Sequence, residues 1–259
     1  MPMILFTIKK AFFDIWDHLF SIFFINVGFL GILSLDVYLL YFLRIHPLTF
    51  MFAIGLALVL PVLYIGAVSM IARDIVEYAT PKFKDIGRYL REVWKAALAF
   101  CLFILIQAAI AVLIFPWYLK RGGIVGIVIP GILFWISLIW WCASQYYFPL
   151  RSQLDTKVSK ILRKSLLLLF DNPLFTLVLA LGTLLLLAVS VFTILLFPGI
   201  GAILVWHQAG LKLRLYKYDY LEDHPDAARD AIPWDELLTE ERKNVGTRTL
   251  RNTFFPWKE

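Results

Sequence analysis

Six long apolar stretches constrain this chain more than any other feature. A helix needs roughly 20 mostly apolar residues to cross the hydrocarbon of a bilayer. Runs of about that length fall at His18–Leu43, Leu48–Ala72, Ala96–Tyr118, Ile124–Phe148, Pro173–Phe197 and Gly199–Tyr216. In hydrocarbon each backbone N–H and C=O needs a partner from the protein itself, so such runs fold as helices. The last run differs from the rest. Trp206, His207 and Gln208 interrupt it, and Lys212 and Arg214 crowd its end. It is counted as a span because long basic side chains can snorkel to the interface. The chain is 61% hydrophobic and 17% charged, with mean hydropathy +0.77. A soluble domain would sit near 45–50% and 25%, so that class is excluded.

Basic residues set the orientation, since the cytoplasmic side of a membrane protein carries the excess of Lys and Arg. Lys9, Lys10, the stretch from Arg73 to Lys95, the stretch from Arg151 to Lys164 and the C-terminus fall on one side; Arg44, Lys120 and Arg121 fall on the other. Both termini are therefore expected in the cytoplasm. The first apolar run is too long for a signal peptide, and no small-residue cleavage site follows it, so it is expected to remain as an anchor. Residues 1–215 hold 18 basic and 9 acidic side chains, and residues 216–259 hold 7 and 10. The basic excess thus lies on the cytoplasmic arms, where anionic lipid attracts it, and nucleic acid is not needed to explain it. Cys101 and Cys142 fall within spans and read as small apolar packers rather than a disulfide.

Three stretches share a layout: an amphipathic segment, an aromatic residue at the membrane entry, then a helical hairpin. They begin at "FTIKKAFFDIW", "TPKFKDIGRYLREVW" and "DTKVSKILRKSLLLLF". Aligning Trp16, Trp94 and Phe170 gives steps of 78 and 76 residues. The outer turns also echo one another at His46–Pro47, Phe115–Pro116 and Phe197–Pro198. In the second arm Phe83, Ile86, Leu90, Val93 and Trp94 follow helical spacing, with Thr80 and Pro81 suited to an N-cap and first helical position. In the third, Val158, Ile161, Leu162 and Ser165 do so, with Asp155 or Thr156 as cap. Such helices lie along the membrane surface, either to complete the fold or to receive a cytoplasmic partner.

The expected architecture is thus an all-α integral membrane protein of six transmembrane helices in three hairpins, each preceded by an amphipathic interfacial helix. The membrane domain covers residues 1–216, with repeats at 1–72, 73–148 and 149–216. A cytoplasmic tail with one short helix covers 217–259.

Ionisable groups inside spans need a reason to be there. Asp36 lies 7 residues before the outer end of span one, Ser190 lies 7 before that of span five, and His207 lies 8 after the outer start of span six. At about 1.5 Å per residue all three fall roughly 10–12 Å below the outer surface. They form a candidate intramembrane cluster in which an Asp–His pair would offset the penalty of burying either group. Two uses follow: gluing helices together, as Asn26 and Gln107 would deeper in the membrane, or forming a proton-coupled or solute site. Pro61 and Pro130 are expected to kink spans two and four. Motifs for metalloproteases, phosphate-binding loops and nucleophile elbows are not found. The reading is non-enzymatic, with no cofactor or metal. The loop by which ABC permeases engage their ATPases is also not found.

At "LPVLYIGAVSMIARDIVEYATPKFKDIGRYLREVWKAAL" the sequence resembles the YesL-like family of bacterial membrane proteins, through Pro61 and Gly66, the polar exit from the span, and the arm that leads to an aromatic residue and "KAAL". The resemblance in layout extends over most of Met1–Tyr220; the tail from Leu221 departs from the family's short ending. It implies a multi-pass protein of the bacterial cytoplasmic (inner) membrane, in a family of unknown function whose members are often associated with ABC-type carbohydrate uptake. The expected function is an accessory or scaffold component of a transport system, with the lipid bilayer and membrane transport proteins as partners. The alternative is a small secondary transporter or channel using Asp36 and His207.

The tail is the other clue. Ile232, Trp234, Leu237 and Leu238 form one apolar face in "IPWDELLTEER". Pro233 suits a helix start, Asp235 and Glu236 favour its positive end, and Gly246 suits its stop after roughly three turns. Beyond it come Leu250, Phe254, Phe255, Pro256 and Trp257. So many apolar groups are out of character for a disordered segment, so they are expected to bury. Trp234, Leu237, Leu238, Phe254, Phe255 and Trp257 are the candidate docking residues. Their targets are the protein's own basic arms, a partner's groove or the lipid interface.

Overall fold

The structure is a computed structural model that describes residues 3–228, 232–246 and 248. All regular structure among them is helical. In chain order the helices are α1 (Met3–Asp17), α2 (Leu19–Phe42), α3 (Pro47–Val76), α4 (Ile86–Ala109), α5 (Phe115–Arg121), α6 (Gly123–Ser144), α7 (Tyr147–Gln153), α8 (Val158–Asp171), α9 (Pro173–Phe192), α10 (Gly199–Asp223), α11 (Trp234–Leu237) and α12 (Thr239–Val245).

Five helical stretches are long and apolar enough to cross a membrane: Leu19–Ile45, Pro47–Val76, Phe83–Arg121, Gly123–Gln153 and Pro173–Phe192. That number fits a multi-pass membrane protein. Between 11% and 33% of the most apolar window of each is covered by other parts of the chain, which leaves most of these faces to lipid. The sixth expected span, α10, is not among the five, and its surroundings explain why. From Gly199 to Leu213 every residue but Ile200 and Lys212 is buried. It is the central helix, packed on α1, α2, α3, α7 and α9. A helix that faces protein on all sides needs no continuous apolar surface, so polar groups are tolerated wherever the bundle supplies partners.

Burial is concentrated toward one end of the bundle. In α3, Ala53 is the one buried residue between Pro47 and Pro61, whereas most of Val62–Val76 is buried. In α2 the buried residues are Ile22, Ile25 and Asn26 near the start, and Asp36 beyond them. This densely packed end carries the arms rich in Lys and Arg. Here it is called the basic end.

The arms depart from three equal copies. α1 and α8 are separate amphipathic helices. The second arm is continuous with its span, because a 3₁₀ turn at Phe83–Asp85 leads directly into α4. Helix here begins after Pro81 rather than at it, and α8 follows Lys157 with no side-chain cap from Asp155 or Thr156. Asp155 instead pairs with Lys164 at 2.6 Å. Phe115–Pro116 is not an outer turn. Pro116 lacks an N–H, and the helix absorbs this in a π segment at Ile110–Ile114 just before it. The chain reverses at Gly122 and Gly123, whose φ angles of 69° and 67° suit glycine.

The third hairpin is set low against the first. Asn26 Nδ2 donates to Leu196 O at 2.9 Å and Pro198 O at 2.8 Å, and its Oδ1 accepts from Gly201 N–H at 2.8 Å. One side chain of α2 thus satisfies both the irregular backbone of the α9–α10 turn and an orphan donor of the α10 N-terminus. Asn26 lies 16 residues before Phe42. The turn therefore meets α2 about 24 Å short of that helix's C-terminal end.

Candidate functional site

The sequence-derived cluster of Asp36, Ser190 and His207 does not assemble. Ser190 Oγ donates to Leu186 O at 2.6 Å and accepts from Gly199 N–H at 2.9 Å, so it closes the α9–α10 turn. That turn meets Asn26, which is 10 residues from Asp36. His207 lies 6 residues further along α10 from Gly201, on the other side of this level. The two offsets put Asp36 and His207 about 24 Å apart along the bundle, not at one depth. The expectation failed because it measured each residue from the end of its own helix and assumed that all hairpins reach one surface. His207 Nε2 is hydrogen-bonded instead to Thr183 Oγ1 at 2.8 Å, and Thr183 also donates to Gln145 Oε1 at 3.1 Å. Asp36 is buried, and neither of its carboxyl oxygens has a hydrogen-bond partner among the described residues.

The polar chemistry of this fold gathers at the basic end. Gln208 of α10 is its first hub. Its Nε2 donates to Ser69 O and Ser69 Oγ, both at 2.8 Å, and to Ser152 Oγ at 2.7 Å, while its Oε1 accepts from Gln153 at 2.6 Å. This ties α3, α7 and α10 together. Arg73 extends the network to Ser152 O at 2.9 Å and to Asp74, which also accepts from Tyr89 of α4 at 3.1 Å. A second group joins α8 to the lower part of α10, where Asp171 accepts from Lys217 and Tyr218, each at 2.7 Å.

The third group binds the tail. Glu241 of α12 is 3% exposed, and each of its oxygens receives one tyrosine and one lysine. Oε1 accepts from Lys212 at 2.6 Å and Tyr216 at 2.9 Å. Oε2 accepts from Tyr78 at 2.7 Å and lies 3.2 Å from Lys10 Nζ. The donors come from α1, α10 and the residue pair after α3. Lys10 and Lys212 also both donate to Val76 O, at 3.0 and 3.1 Å, so two cations cap the negative end of α3. Tyr78 sits at φ 59°, a conformation that a bulky residue rarely adopts. Its hydroxyl is held between Lys10 and Glu241.

Charge in this cluster balances. Lys10 pairs with Asp14 at 3.1 Å on its own helix, so the buried Lys10 and half-buried Lys212 ammonium groups face two carboxylates. The carboxylates respond in opposite directions. For Asp14, burial dominates and raises the pKa to about 6, against the lowering pull of Lys10. For Glu241, burial also pushes upward, but Lys10, Lys212 and the Tyr78 hydroxyl outweigh it and hold the group below its ordinary value.

Apolar contacts surround this polar knot. Leu238 and Val245 lie in one cluster with Met3, Phe6, Phe13 and Leu213. Each such burial contributes about 1.5–3 kcal/mol. Trp234 is half-buried against the same cluster, with the Arg214 guanidinium 5.6 Å from its ring centroid. Leu237 is half-buried in α11. Arg248 makes a two-point contact with Asp17 at 2.8 and 2.9 Å, and Lys9 donates to Gly246 O at 3.1 Å. Both of these bonds fasten the tail to α1. Phe254, Phe255 and Trp257 lie outside the described residues. The expected single helix is two short ones, because Leu238 leaves helical geometry at φ −94° and ψ 7°, between α11 and α12. Gly246, at φ 73°, ends α12.

Several of these residues carry a signal that composition alone hides. Lys10 and Asp14 interrupt the apolar stripe of α1 set by Met3, Phe6 and Phe13, and Glu241 falls between Leu238 and Val245 at spacings of 3 and 4. A charge on the apolar face of an amphipathic helix is a buried charge, and a buried charge needs a partner. No family model, curated protein or solved structure matches the chain.

Proposed function

We propose that this chain is a non-enzymatic membrane protein that serves as an accessory or scaffold component of a transport system and acts through its basic end. The observation that carries this reading is the cluster around Glu241, which fastens α12 to α1, α10 and the segment after α3 with four polar contacts to one buried carboxylate. Satisfied polar networks of this kind rigidify the groups they join. Rigidity is thus invested at one face, while the spans offer largely lipid-facing surfaces. A presenting platform needs that distribution. The separation of Asp36 from His207 lends no support to a transport site built on that pair.

In this reading the basic end is cytoplasmic, in the inner membrane of a bacterium, and both termini lie on that side. The contact between α1 and α12 supports termini on one side, because it requires an even number of crossings between them. The Lys and Arg asymmetry supports the cytoplasm as that side. The α9–α10 hairpin enters from there and stops short of the far surface, which its bonding to Asn26 favours over six complete crossings. The resemblance to YesL-like proteins points to ABC-type carbohydrate uptake as the system served.

Affinity purification of the full chain in mild detergent tests the reading. A scaffold brings down membrane transport proteins in stoichiometric amount. A preparation that contains this chain and lipid alone refutes it.

A further inference from the structure

We propose that Lys10, Tyr78, Lys212 and Tyr216 form a helix-docking socket that reads one buried carboxylate, filled in cis by Glu241 of α12 and open in trans to an acidic amphipathic helix of a partner protein. This deepens the scaffold reading and rests on it, since it names the surface and the kind of partner.

The argument begins with the charge balance. Without Glu241 the socket would hold Lys10 and Lys212 against Asp14 alone, and two tyrosine hydroxyls would lose their acceptor. A buried net positive charge with four converging donors is a strong demand for a carboxylate. The tail meets that demand with a minimal pattern. Leu238 at the N-cap of α12, Glu241 and Val245 stand at positions i, i+3 and i+7, so the cap and one face of the helix deliver two apolar anchors with the acid between them. The anchors enter a groove whose walls are Met3, Phe6 and Phe13 of α1 and Leu213 of α10.

The attachment is local. α12 is 7 residues long, and among the described residues the chain between it and α10 contributes Trp234 and Leu238 to the apolar cluster. A helix this short has little stability of its own, so docking is what orders it. Apart from the Lys9–Gly246 and Arg248–Asp17 contacts at and beyond its C-terminal end, its hold depends on the same few contacts that any helix with the Leu-x-x-Glu-x-x-x-Val pattern would make. A partner helix carrying that pattern therefore competes for the socket on equal chemical terms, and displacement of α12 frees the tail beyond it. The acid sets specificity: a helix with Gln at the central position would leave two ammonium groups facing one carboxylate, Asp14.

A fluorescent peptide of residues 232–246 tests the socket by anisotropy against the full-length protein in detergent. Wild-type protein, whose socket is filled, is expected to bind it weakly. The Glu241→Gln protein is expected to bind it at least tenfold more tightly. The Leu238→Ala protein, in which the cis helix loses an anchor while every socket donor stays, is expected to do the same. This keeps the test valid should either variant fold poorly. The peptide carrying Glu241→Gln is expected to lose at least tenfold against both variants. Equal binding to wild-type and both variants, or equal binding by the two peptides, overturns the proposal. Neither result touches the co-purification experiment, which judges the scaffold reading separately.

Discussion

Replacing Asn26 with Leu asks what a single amide does where helix backbone is interrupted within the bundle. Leu has the same number of side-chain heavy atoms and the same branching as Asn and suits α2, so the change removes polarity while keeping the branched outline. Three groups lose their partner: Leu196 O, Pro198 O and Gly201 N–H, now bonded at 2.9, 2.8 and 2.8 Å. A buried group left unsatisfied costs about 1–3 kcal/mol. Carbonyls tolerate this better than amides, and the new apolar side chain returns about 1 kcal/mol. The expected net loss is about 3–5 kcal/mol. For a chain of this size that corresponds to a fall in Tm of roughly 10 °C. Asn26→Asp separates the contributions: it keeps the acceptor for Gly201 N–H, loses both donors, and adds a charge facing two carbonyls. It is expected to be at least as damaging. Thermal unfolding in one detergent, followed by intrinsic tryptophan fluorescence, measures both variants. A Tm for Asn26→Leu within about 2 °C of wild type would refute the claim that this amide holds the third hairpin against the first.

Three more outcomes are expected. Gly182→Val drives a Cβ to within 2.7 Å of the Trp206 ring, whose Nε1 now donates to Leu179 O at 2.9 Å, so stability should drop by about 2–4 kcal/mol. Adding Trp206→Phe should recover part of it, and strict additivity in thermal denaturation would show that the two do not touch. For pH, Asp14 has a folded pKa of about 6 against an ordinary 3.8, so the folded state binds its proton more tightly and stability falls as pH rises across that window, by up to about 3 kcal/mol. Glu241 acts oppositely: its lowered pKa contributes stability that is lost as pH falls below its ordinary 4.5. The Tm should therefore be higher at pH 5 than at pH 7 and fall again under stronger acid, and Asp14→Asn should flatten the change between pH 4 and 6; a wild-type Tm equal at pH 5 and 7 contradicts this. Finally, a cysteine replacing Leu196 in the α9–α10 turn should resist a membrane-impermeant maleimide added to whole cells, while one replacing His46 in the α2–α3 turn reacts; labelling at both positions would mean the third hairpin crosses.

What the sequence reveals about this fold depends on which environment a residue answers to. Lipid is a uniform solvent, so the helices that face it announce themselves: the runs at α2, α3, α4, α6 and α9 are legible from hydropathy alone. α10 answers to neighbouring side chains, and its Trp206, His207 and Gln208 make sense only once Leu179, Thr183, Ser69 and Ser152 are beside them. The same distinction separates the two candidate sites. Asp36, Ser190 and His207 are alike in rarity, but rarity says nothing about relative depth, which the Asn26 contacts set. Lys10 and Glu241 were readable in principle, because each breaks an apolar helical face at a position where water cannot reach it. Nothing in either segment says that they meet, since 231 residues separate them and the contact is closed by α10 and by the turn after α3. A charge on a buried stripe should therefore be treated as half of a contact whose other half is a second misplaced charge of opposite sign. In this chain that search leads from Lys10 to Glu241, and so to the tail as a bound ligand of its own membrane domain.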